Sequence, residues 1–209
     1  GLPYLPTYAS LGTDILNPAY DNLGTLGYRD GSHPKIPKKK YEIVEDTFNG
    51  GWLLHIPASN PDWCIAYVQM VGEEGTVRIE GQIYSDVEAI KAADHVIVIA
   101  ENIVPEEYIR REPTHNQIPG HQVTYIVELP WAAHPTGSYG RYETDGDFIK
   151  KLYQASRTEE GMQSWLDEWV YQIPDHATYL NKLGVTHLES LRANPALGYS
   201  NQVKRGQRK

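Results

Sequence analysis

Residues 86–111 read DVEAIKAADHVIVIAENIVPEEYIRR. In the middle of this stretch, Val96–Ala100 is an apolar run with β-branched residues on both faces, which is typical of a strand covered on both sides of a parallel sheet. Asp86 is a suitable N-cap for the helix that precedes this run. Pro105 opens a second helix, over 105–111, with acidic residues in its first turn and arginines at its end. A covered strand between two helices predicts an α/β fold with an open, mostly parallel sheet flanked by helices.

Further strands and helices are predicted on either side of this stretch. The predicted strands are 1–8, 41–45, 52–57, 63–71, 76–80 and 123–129, and the predicted helices are 87–93, 147–157, 159–171, 175–183 and 185–192. Gly72 and Gly75 bound a short turn between two strands, which predicts a small antiparallel hairpin. The last four helices predict a helical C-terminal region. Within it, Trp165 and Trp169 at helical spacing are expected to be core or subunit-interface residues.

The chain has 209 residues, enough to bury a core without disulfides or a structural metal, and a single domain over 1–209 is expected. Residues 17–40 hold three Pro, three Gly and little periodicity, which predicts a long surface loop. Residues 200–209 are predicted to be a flexible tail. Because residues 1–8 already resemble the interior of a fold, an upstream N-terminal unit is expected to be missing from this sequence.

Composition argues against several functional classes. The 27 acidic and 19 basic side chains give a net charge of -8, whereas a nucleic-acid-binding protein needs a surplus of cations. The basic clusters 38–40 and 204–209 are interpreted as a solvated loop and a frayed terminus. No apolar run approaches the roughly 20 residues that span a bilayer, so no membrane association is expected. The single cysteine, Cys64, excludes an internal disulfide and favours a cytoplasmic location.

Familiar motifs for phosphate, nucleophile and metal chemistry are missing from the sequence. It contains no GxGxxG after a strand, no GxxxxGK[ST] and no GxSxG. Cys64 lies in an apolar strand, where a buried, inert thiol is expected. Among the eight histidines there is no HxH and no HExxH. His115 and His121 flank a turn and could converge with Glu112, but surface or hydrogen-bonded histidines are favoured, and no metal site is predicted.

Polar residues at the ends of predicted strands outline a candidate cleft, because ligands of open α/β sheets collect at the carboxyl ends of strands. These residues are Gly12, Thr13 and Asp14 after the first strand, Gln69 near the end of the strand 63–71, Glu101 after Val96–Ala100, and His134 in the loop after 123–129. Structural alternatives are a turn or helix cap for Thr13 or Asp14, an ion pair with Arg110 or Arg111 for Glu101, and a bond to a backbone carbonyl for His134.

Several motifs follow one another in the order found in the A-type chains of family I CoA-transferases. In the first half they are 1–6 (GLPYLP), 12–14 (GTD), 61–69 (PDWCIAYVQ), 75–81 (GTVRIEG) and 86–87 (DV). In the second half they are 107–113 (EYIRREP), 118–120 (IPG), 133–135 (AHP), 139–140 (YG), 168–170 (EWV), 175–176 (DH), 179–184 (YLNKLG) and 197–199 (LGY). Over nearly its whole length the chain therefore resembles the A-type chain of a family I CoA-transferase, and its second half resembles the glutaconate branch of that family.

The resemblance implies a heteromer of A-type and B-type chains that exchanges CoA between an acyl-CoA and a small (di)carboxylic acid. In this family the nucleophile is a glutamate of the B-type chain, so no catalytic residue is expected in this chain; covalent catalysis splits one difficult transfer into two easier ones. Coenzyme A is a co-substrate, and no permanently bound cofactor is implied. The substrate-binding residues would be Gly12, Thr13, Asp14, Gln69, Glu101, His134 and Tyr139. Thr13 would orient the acyl carboxylate or thioester carbonyl, and His134 with Tyr139 would gate the acyl pocket.

Other functions are compatible with the same resemblance. Decarboxylases and ring-opening hydrolases of CoA thioesters share the scaffold, and a fold does not choose among chemistries. A non-catalytic scaffold role is a third possibility. Two departures from the family pattern, the loop 17–40 and Trp131 in place of a smaller or tyrosyl residue, are expected to reshape the acyl pocket.

Overall fold

The computed structural model describes residues 2–16 and 29–203. Its strands are β1 (Tyr4–Thr7), β2 (Glu42–Glu45), β3 (Trp52–Pro57), β4 (Trp63–Gly72), β5 (Val77–Arg78), β6 (His95–Val104) and β7 (Tyr125–Glu128). Its α-helices are α1 (Asp86–Ala92), α2 (Glu106–Arg110), α3 (Gly146–Ala155), α4 (Glu159–Leu166), α5 (His176–Leu183) and α6 (Val185–Leu191). No helix in these described ranges is long and apolar enough to cross a bilayer.

The chain divides into two compact units. The first consists of the described parts of 1–64 together with 91–95, and the second of 65–90 together with the described part of 96–209. The expectation of a single domain over 1–209 stays a prediction. The first part of the predicted loop, 17–28, and most of the predicted tail, 204–209, lie outside the described residues.

The first unit contains a three-stranded antiparallel sheet in the order β1-β3-β2. Its central strand is in register with both neighbours, Leu5 opposite Ile56 and Ile43 opposite Leu54. Leu54 is fully buried. The strand predicted over 1–8 is thus a short antiparallel strand and not the first strand of a parallel sheet. Its pairing partner lies some fifty positions away, so no local pattern reveals its direction.

The second unit is built on a sheet in the order β5-β4-β6-β7. β6 and β7 are parallel, with Ile97 opposite Tyr125. β4 and β5 are antiparallel, with Val71 opposite Val77, which confirms the predicted hairpin. The α/β class is confirmed, and the sheet is partly parallel.

The core of this sheet follows from the pattern that predicted β6. Val96, Val98 and Ala100 are buried, and the residues between them, Ile97 and Ile99, are partly buried, so both faces of the strand are covered. Burying an aliphatic side chain of this size stabilises the fold by about 1.5–3 kcal/mol. The strand is therefore fixed at the centre of the unit.

The C-terminal region is helical, as predicted. α3, α4 and α5 each begin directly after a side chain that accepts a backbone N–H, namely Asp145, Thr158 and Asp175. α4 continues into a π-helical turn, Asp167–Tyr171, so the helix predicted over 159–171 is present with a change of geometry. Trp165 and Trp169 are partly buried, and both pack edge-to-face on the buried ring of Phe148.

Candidate functional site

A surface cleft in the second unit is the candidate site. It has a volume of about 460 Å³ and is walled by 137–140, 142–144 and 197–199. Gly137 allows its wall to close tightly, because a Cβ there would lie 2.9 Å from the backbone nitrogen of Thr144. Tyr139, one of the predicted site residues, is 65% exposed at this cleft.

Glycine at position 81 determines where Tyr139 lies. A Cβ at Gly81 would come within 2.7 Å of the Tyr139 ring, so the ring packs directly over the backbone of this glycine. The backbone of Gly81 has a positive φ of 87°, which glycine adopts without strain. The resulting position leaves the phenol of Tyr139 available to a molecule in the cleft.

Behind the cleft, the carboxylate of Glu101 is the centre of a buried hydrogen-bond network. Its Oε1 atom accepts from the hydroxyls of Tyr67 (2.7 Å) and Tyr142 (2.8 Å) and from the backbone N–H of Trp131 (2.8 Å). Glu101 is only 6% exposed. Burial raises the pKa of Tyr67 and of Tyr142, so both phenols remain protonated donors. This network fixes Tyr142, which is itself part of the cleft wall.

The expected alternative for Glu101, an ion pair with an arginine, is wrong. No ion pair joins Glu101 to Arg110 or Arg111, which are both described residues. Arg110 instead pairs with Glu74 at 2.5 Å and with Glu106 at 3.1 Å. The hydroxyl and backbone donors around Glu101 lie on segments far from it in sequence, which is why its local neighbours gave the wrong partner.

Gln69 holds a neighbouring backbone segment in place by a side-chain hydrogen bond. It is buried, and its side-chain oxygen accepts from the backbone N–H of Glu80 at 2.9 Å. The carboxylate of Glu80 in turn lies 3.5 Å from the guanidinium of Arg141. Gln69 therefore holds the segment that contacts the cleft loop, and it does not line the cleft itself.

His134 is enclosed by side chains. Its side chain is fully buried, with Nδ1 2.5 Å from the hydroxyl of Tyr179 and Nε2 3.1 Å from Oδ2 of Asp145. Burial lowers the pKa of His134 despite the neighbouring carboxylate of Asp145. The expected bond to a backbone carbonyl is wrong, because both ring nitrogens face side chains. His134 is not among the residues that wall the cleft.

Sequence reasoning missed the partners of these residues. Tyr67 and Tyr142 lie 34 and 41 positions from Glu101, and Tyr179 lies 45 positions from His134. Asp145 carried a local signal, since it precedes a helix as an N-cap does. Tyr67 and Tyr179 carried no signal beyond their place in family-like motifs, and Tyr142 carried none.

The predicted residues of the first unit form an exposed turn. Gly12 has a positive φ of 71°, and the hydroxyl of Thr13 donates to the carbonyl of Ser10 at 2.7 Å. Asp14 begins a 3-10 turn, Asp14–Leu16. This geometry is that of a turn cap, and the role of these residues in substrate binding stays a prediction.

The first unit also has a surface cavity of its own, of about 810 Å³. Basic side chains in its wall include Arg29, Lys35 and Lys40. Lys35 is neutralised by two carboxylates, Asp62 at 2.6 Å and Asp94 at 2.5 Å. Part of this wall comes from 29–40, the described part of the predicted loop, which contains neither helix nor strand.

No family model matches the chain. Its sequence is 37% identical, over 200 residues and 95% of the chain, to the A-type chain of glutaconate CoA-transferase from Acidaminococcus fermentans. The crystal structure of glutaconate coenzyme A-transferase from the same organism matches 96% of the chain and 62% of its own chain with a TM-score of 0.85. The chain is a homologue of the glutaconate CoA-transferase A-type chain. It spans 61% of the length of that relative.

The homology to glutaconate CoA-transferase confirms the resemblance read from the motifs and shows that the chain has the CoA-transferase fold. A more distant relative is the IpdA component of the cholesterol ring-cleaving hydrolase of Rhodococcus jostii. It is 26% identical over 79% of the chain and 52% of its own length.

Proposed function

We propose that this chain is the A-type component of a heteromeric, cytoplasmic CoA-transferase. The complex would move CoA between an acyl-CoA and a small carboxylic or dicarboxylic acid. The observation that carries the proposal is the combined similarity to the A-type chain of glutaconate CoA-transferase, with 37% identity over 95% of the chain and a TM-score of 0.85 for the fold. Similarity at both levels supports a shared chemistry better than fold alone.

The proposed reaction uses a glutamate of the B-type chain as the nucleophile. Its carboxylate attacks the thioester carbonyl, and the CoA thiolate leaves, which gives a mixed anhydride. The thiolate then attacks the glutamyl carbonyl of the anhydride and releases the first acid as its carboxylate. The resulting glutamyl-CoA thioester transfers CoA to the second acid by the same two steps in reverse. Coenzyme A is thus a co-substrate, and no resident cofactor takes part.

This chain would contribute binding and orientation. The phenol of Tyr139 is exposed at the cleft and can donate a hydrogen bond to an acyl carboxylate. Glu101, Gln69 and His134 would act as positioning residues, because each holds a segment of the cleft region through buried hydrogen bonds. Thr13, in the exposed turn of the first unit, is proposed to contact the acyl carboxylate or thioester carbonyl.

Reconstitution with a B-type partner tests the proposal. The chain would be co-expressed with a partner that has a glutamate at the nucleophile position, and exchange of CoA between acyl donors and free acids would be measured. A covalent CoA adduct on the partner, detected by intact mass after incubation with acyl-CoA alone, is expected. Absence of both transfer and adduct across small mono- and dicarboxylates would contradict the proposal.

Variants of this chain separate a catalytic contribution from a scaffold role. Tyr139→Ala is expected to raise KM for the acid substrate about tenfold, the effect of one lost hydrogen bond of about 1.4 kcal/mol. Tyr153→Ala is a matched control, because Tyr153 is a similarly exposed tyrosine on α3. Unchanged kcat and KM in Tyr139→Ala, Thr13→Ala and His134→Ala complexes would favour a non-catalytic scaffold.

A hydrolase is the second candidate function. The observation that favours it is the 26% identity to the ring-cleaving hydrolase component of Rhodococcus jostii. Product analysis distinguishes the two reactions, since a transferase conserves the thioester in a new acyl-CoA and a hydrolase of a cyclic acyl-CoA adds water across a ring bond. A partner with another residue at the glutamate position would likewise favour the second candidate.

A further inference from the structure

Three side chains that commonly bind metals converge at the start of α3. His134, Asp145 and His187 each present one ligand atom, and these atoms lie within 4.8 Å of one another. Nε2 of His134 is 3.1 Å from Oδ2 of Asp145, and Nε2 of His187 contacts the same oxygen. A tetrahedral zinc ion with bonds of roughly 2.0–2.1 Å separates its ligand atoms by about 3.3 Å. Small rotations of these side chains are therefore enough to surround an ion.

The second polar atom of His134 and of Asp145 already has a partner. Nδ1 of His134 lies 2.5 Å from the hydroxyl of Tyr179, and Oδ1 of Asp145 accepts from the backbone N–H of Phe148 at 2.9 Å. A metal-bound histidine usually donates its other ring N–H to an oxygen in this way. These contacts orient the ring and the carboxylate, and Nε2 of His134 lies 3.1 Å from Oδ2 of Asp145.

His187 provides the open side of the cluster. Its side chain is 39% exposed, whereas the side chains of His134 and Asp145 are 0% and 2% exposed. Two cavities, of about 300 Å³ and 450 Å³, both have Asp145, Asp147 and His187 in their walls. Water from these cavities can complete the coordination of an ion, as in zinc sites with three protein ligands.

We infer that His134, Asp145 and His187 form a binding site for a divalent transition-metal ion, with Zn²⁺ as the best match. Two imidazole nitrogens and one carboxylate oxygen are typical zinc ligands, whereas Ca²⁺ and Mg²⁺ prefer oxygen ligands alone. The ion would link the loop that contains His134, the first residue before α3, and α6. This role is structural and does not depend on the proposed CoA transfer.

Metal titration of the untagged protein tests the site. After treatment with a chelator and dialysis, the protein would be titrated with Co²⁺ and followed by visible absorption, and Zn²⁺ would then be added as competitor. One equivalent of Co²⁺ per chain, displaced by Zn²⁺, is expected. Zn²⁺ should also raise the Tm, because an ion that binds only the folded state stabilises it.

Three variants make the test specific. His187→Ala and Asp145→Asn should weaken the affinity for Co²⁺ and Zn²⁺ on the order of 100-fold or more, and should abolish the Zn²⁺-dependent rise in Tm. Asn at position 145 keeps an N-cap for α3, so this variant should still fold. His121→Ala removes an exposed histidine on another segment and should bind like the unchanged chain.

Several results would overturn the inference. These are no saturable Co²⁺ absorption, equal affinity in all variants, or a His134 Nε2 that still carries its proton in ¹⁵N NMR spectra with Zn²⁺ present. The last result would show that the cluster is only a hydrogen-bond network on Asp145. If His187→Ala does not fold, His187→Gln replaces it, and retention of tight metal binding by that variant would equally overturn the site.

Discussion

Replacement of Glu101 by alanine is the sharpest test of the buried network behind the cleft. Oε1 of Glu101 accepts three hydrogen bonds, from Tyr67, Tyr142 and the backbone of Trp131. The substitution leaves these donors without their shared acceptor in a site that is only 6% exposed in the intact protein. Alanine also removes most of the volume of the side chain, so the variant loses packing contacts as well as hydrogen bonds.

The expected loss follows from the number of donors. A buried donor left unpaired costs about 1–3 kcal/mol, and entry of water into the space left by the side chain reduces the sum. We expect Glu101→Ala to lower the free energy of unfolding by about 3–5 kcal/mol, a large effect for one substitution. For a chain of this size that corresponds to a fall in Tm of about 6–20 °C. Glu101→Gln keeps a neutral acceptor and should cost about 1–2 kcal/mol.

Urea denaturation, followed by tryptophan fluorescence, measures the effect. Trp131 lies in the network and is one of the five tryptophans whose emission reports unfolding. Glu107→Ala is the matched control, because Glu107 is an exposed glutamate on α2. Its free energy of unfolding should stay within about 0.5 kcal/mol of the unchanged chain.

Two results would refute the reasoning. One is a Glu101→Ala protein as stable as the Glu107→Ala control, which would mean that the donors find other partners. The other is a Glu101→Gln protein of unchanged stability whose reconstituted complex has a much higher KM for the acid substrate. That outcome would make Glu101 a substrate ligand and not a positioning residue.

Other positions give independent predictions. Gly120→Ala should destabilise the protein by about 1–3 kcal/mol in thermal unfolding, because its Cβ would lie 2.1 Å from the carbonyl oxygen of Glu74. Leu54→Ala should cost about 2–5 kcal/mol in urea unfolding, because Leu54 is fully buried in the first unit. The pKa of Asp46 is lowered to about 2, first by the hydroxyl of Tyr8, so NMR titration of its carboxyl carbon should give a value well below the ordinary one, and Tyr8→Phe should raise it. Because the folded pKa is depressed, this carboxylate stabilises the fold above pH about 4, and its contribution is lost as the pH falls towards about 2.

Matched substitutions at open or exposed positions serve as controls for the first two of these variants. Gly146→Ala, at a glycine with nothing near its Cβ position, should not reduce stability, and an equal loss at positions 120 and 146 would contradict the steric argument. Ile15→Ala, at a side chain that is 61% exposed, is the control for Leu54→Ala, and similar losses would contradict the burial argument. An unchanged pKa of Asp46 in Tyr8→Phe would contradict the assigned cause.

Much of the local structure could be predicted from the sequence. The strand 52–57 has the predicted bounds, and the hairpin after 63–71 is present, because alternating apolar residues and turn glycines act over a few positions. The bounds of other elements differ by a few residues. The helix over 159–171, for example, ends as a π-helical turn, a geometry that has no simple pattern in the sequence.

Strand pairing could not be predicted in the same way. The sequence predicts a mostly parallel sheet, whereas the strand at the start of the chain is the edge of an antiparallel one. Its partner residues, such as Ile56 opposite Leu5, are distant in sequence. Register between such segments depends on which faces are buried together, and this is a property of the folded chain.

In the candidate site, too, some features could be predicted from the sequence and others could not. The family-like motifs, among them those that contain His134 and Tyr139, are enough to indicate the CoA-transferase relationship, since they need only their order along the chain. The sequence by itself thus determined the elements, their order and the family resemblance. Tertiary structure decided that Tyr139 is exposed at a cleft, whereas Glu101 and His134 are buried among partners 11 to 45 positions away. Burial and distant contacts arise only when segments pack, and no local pattern encodes them.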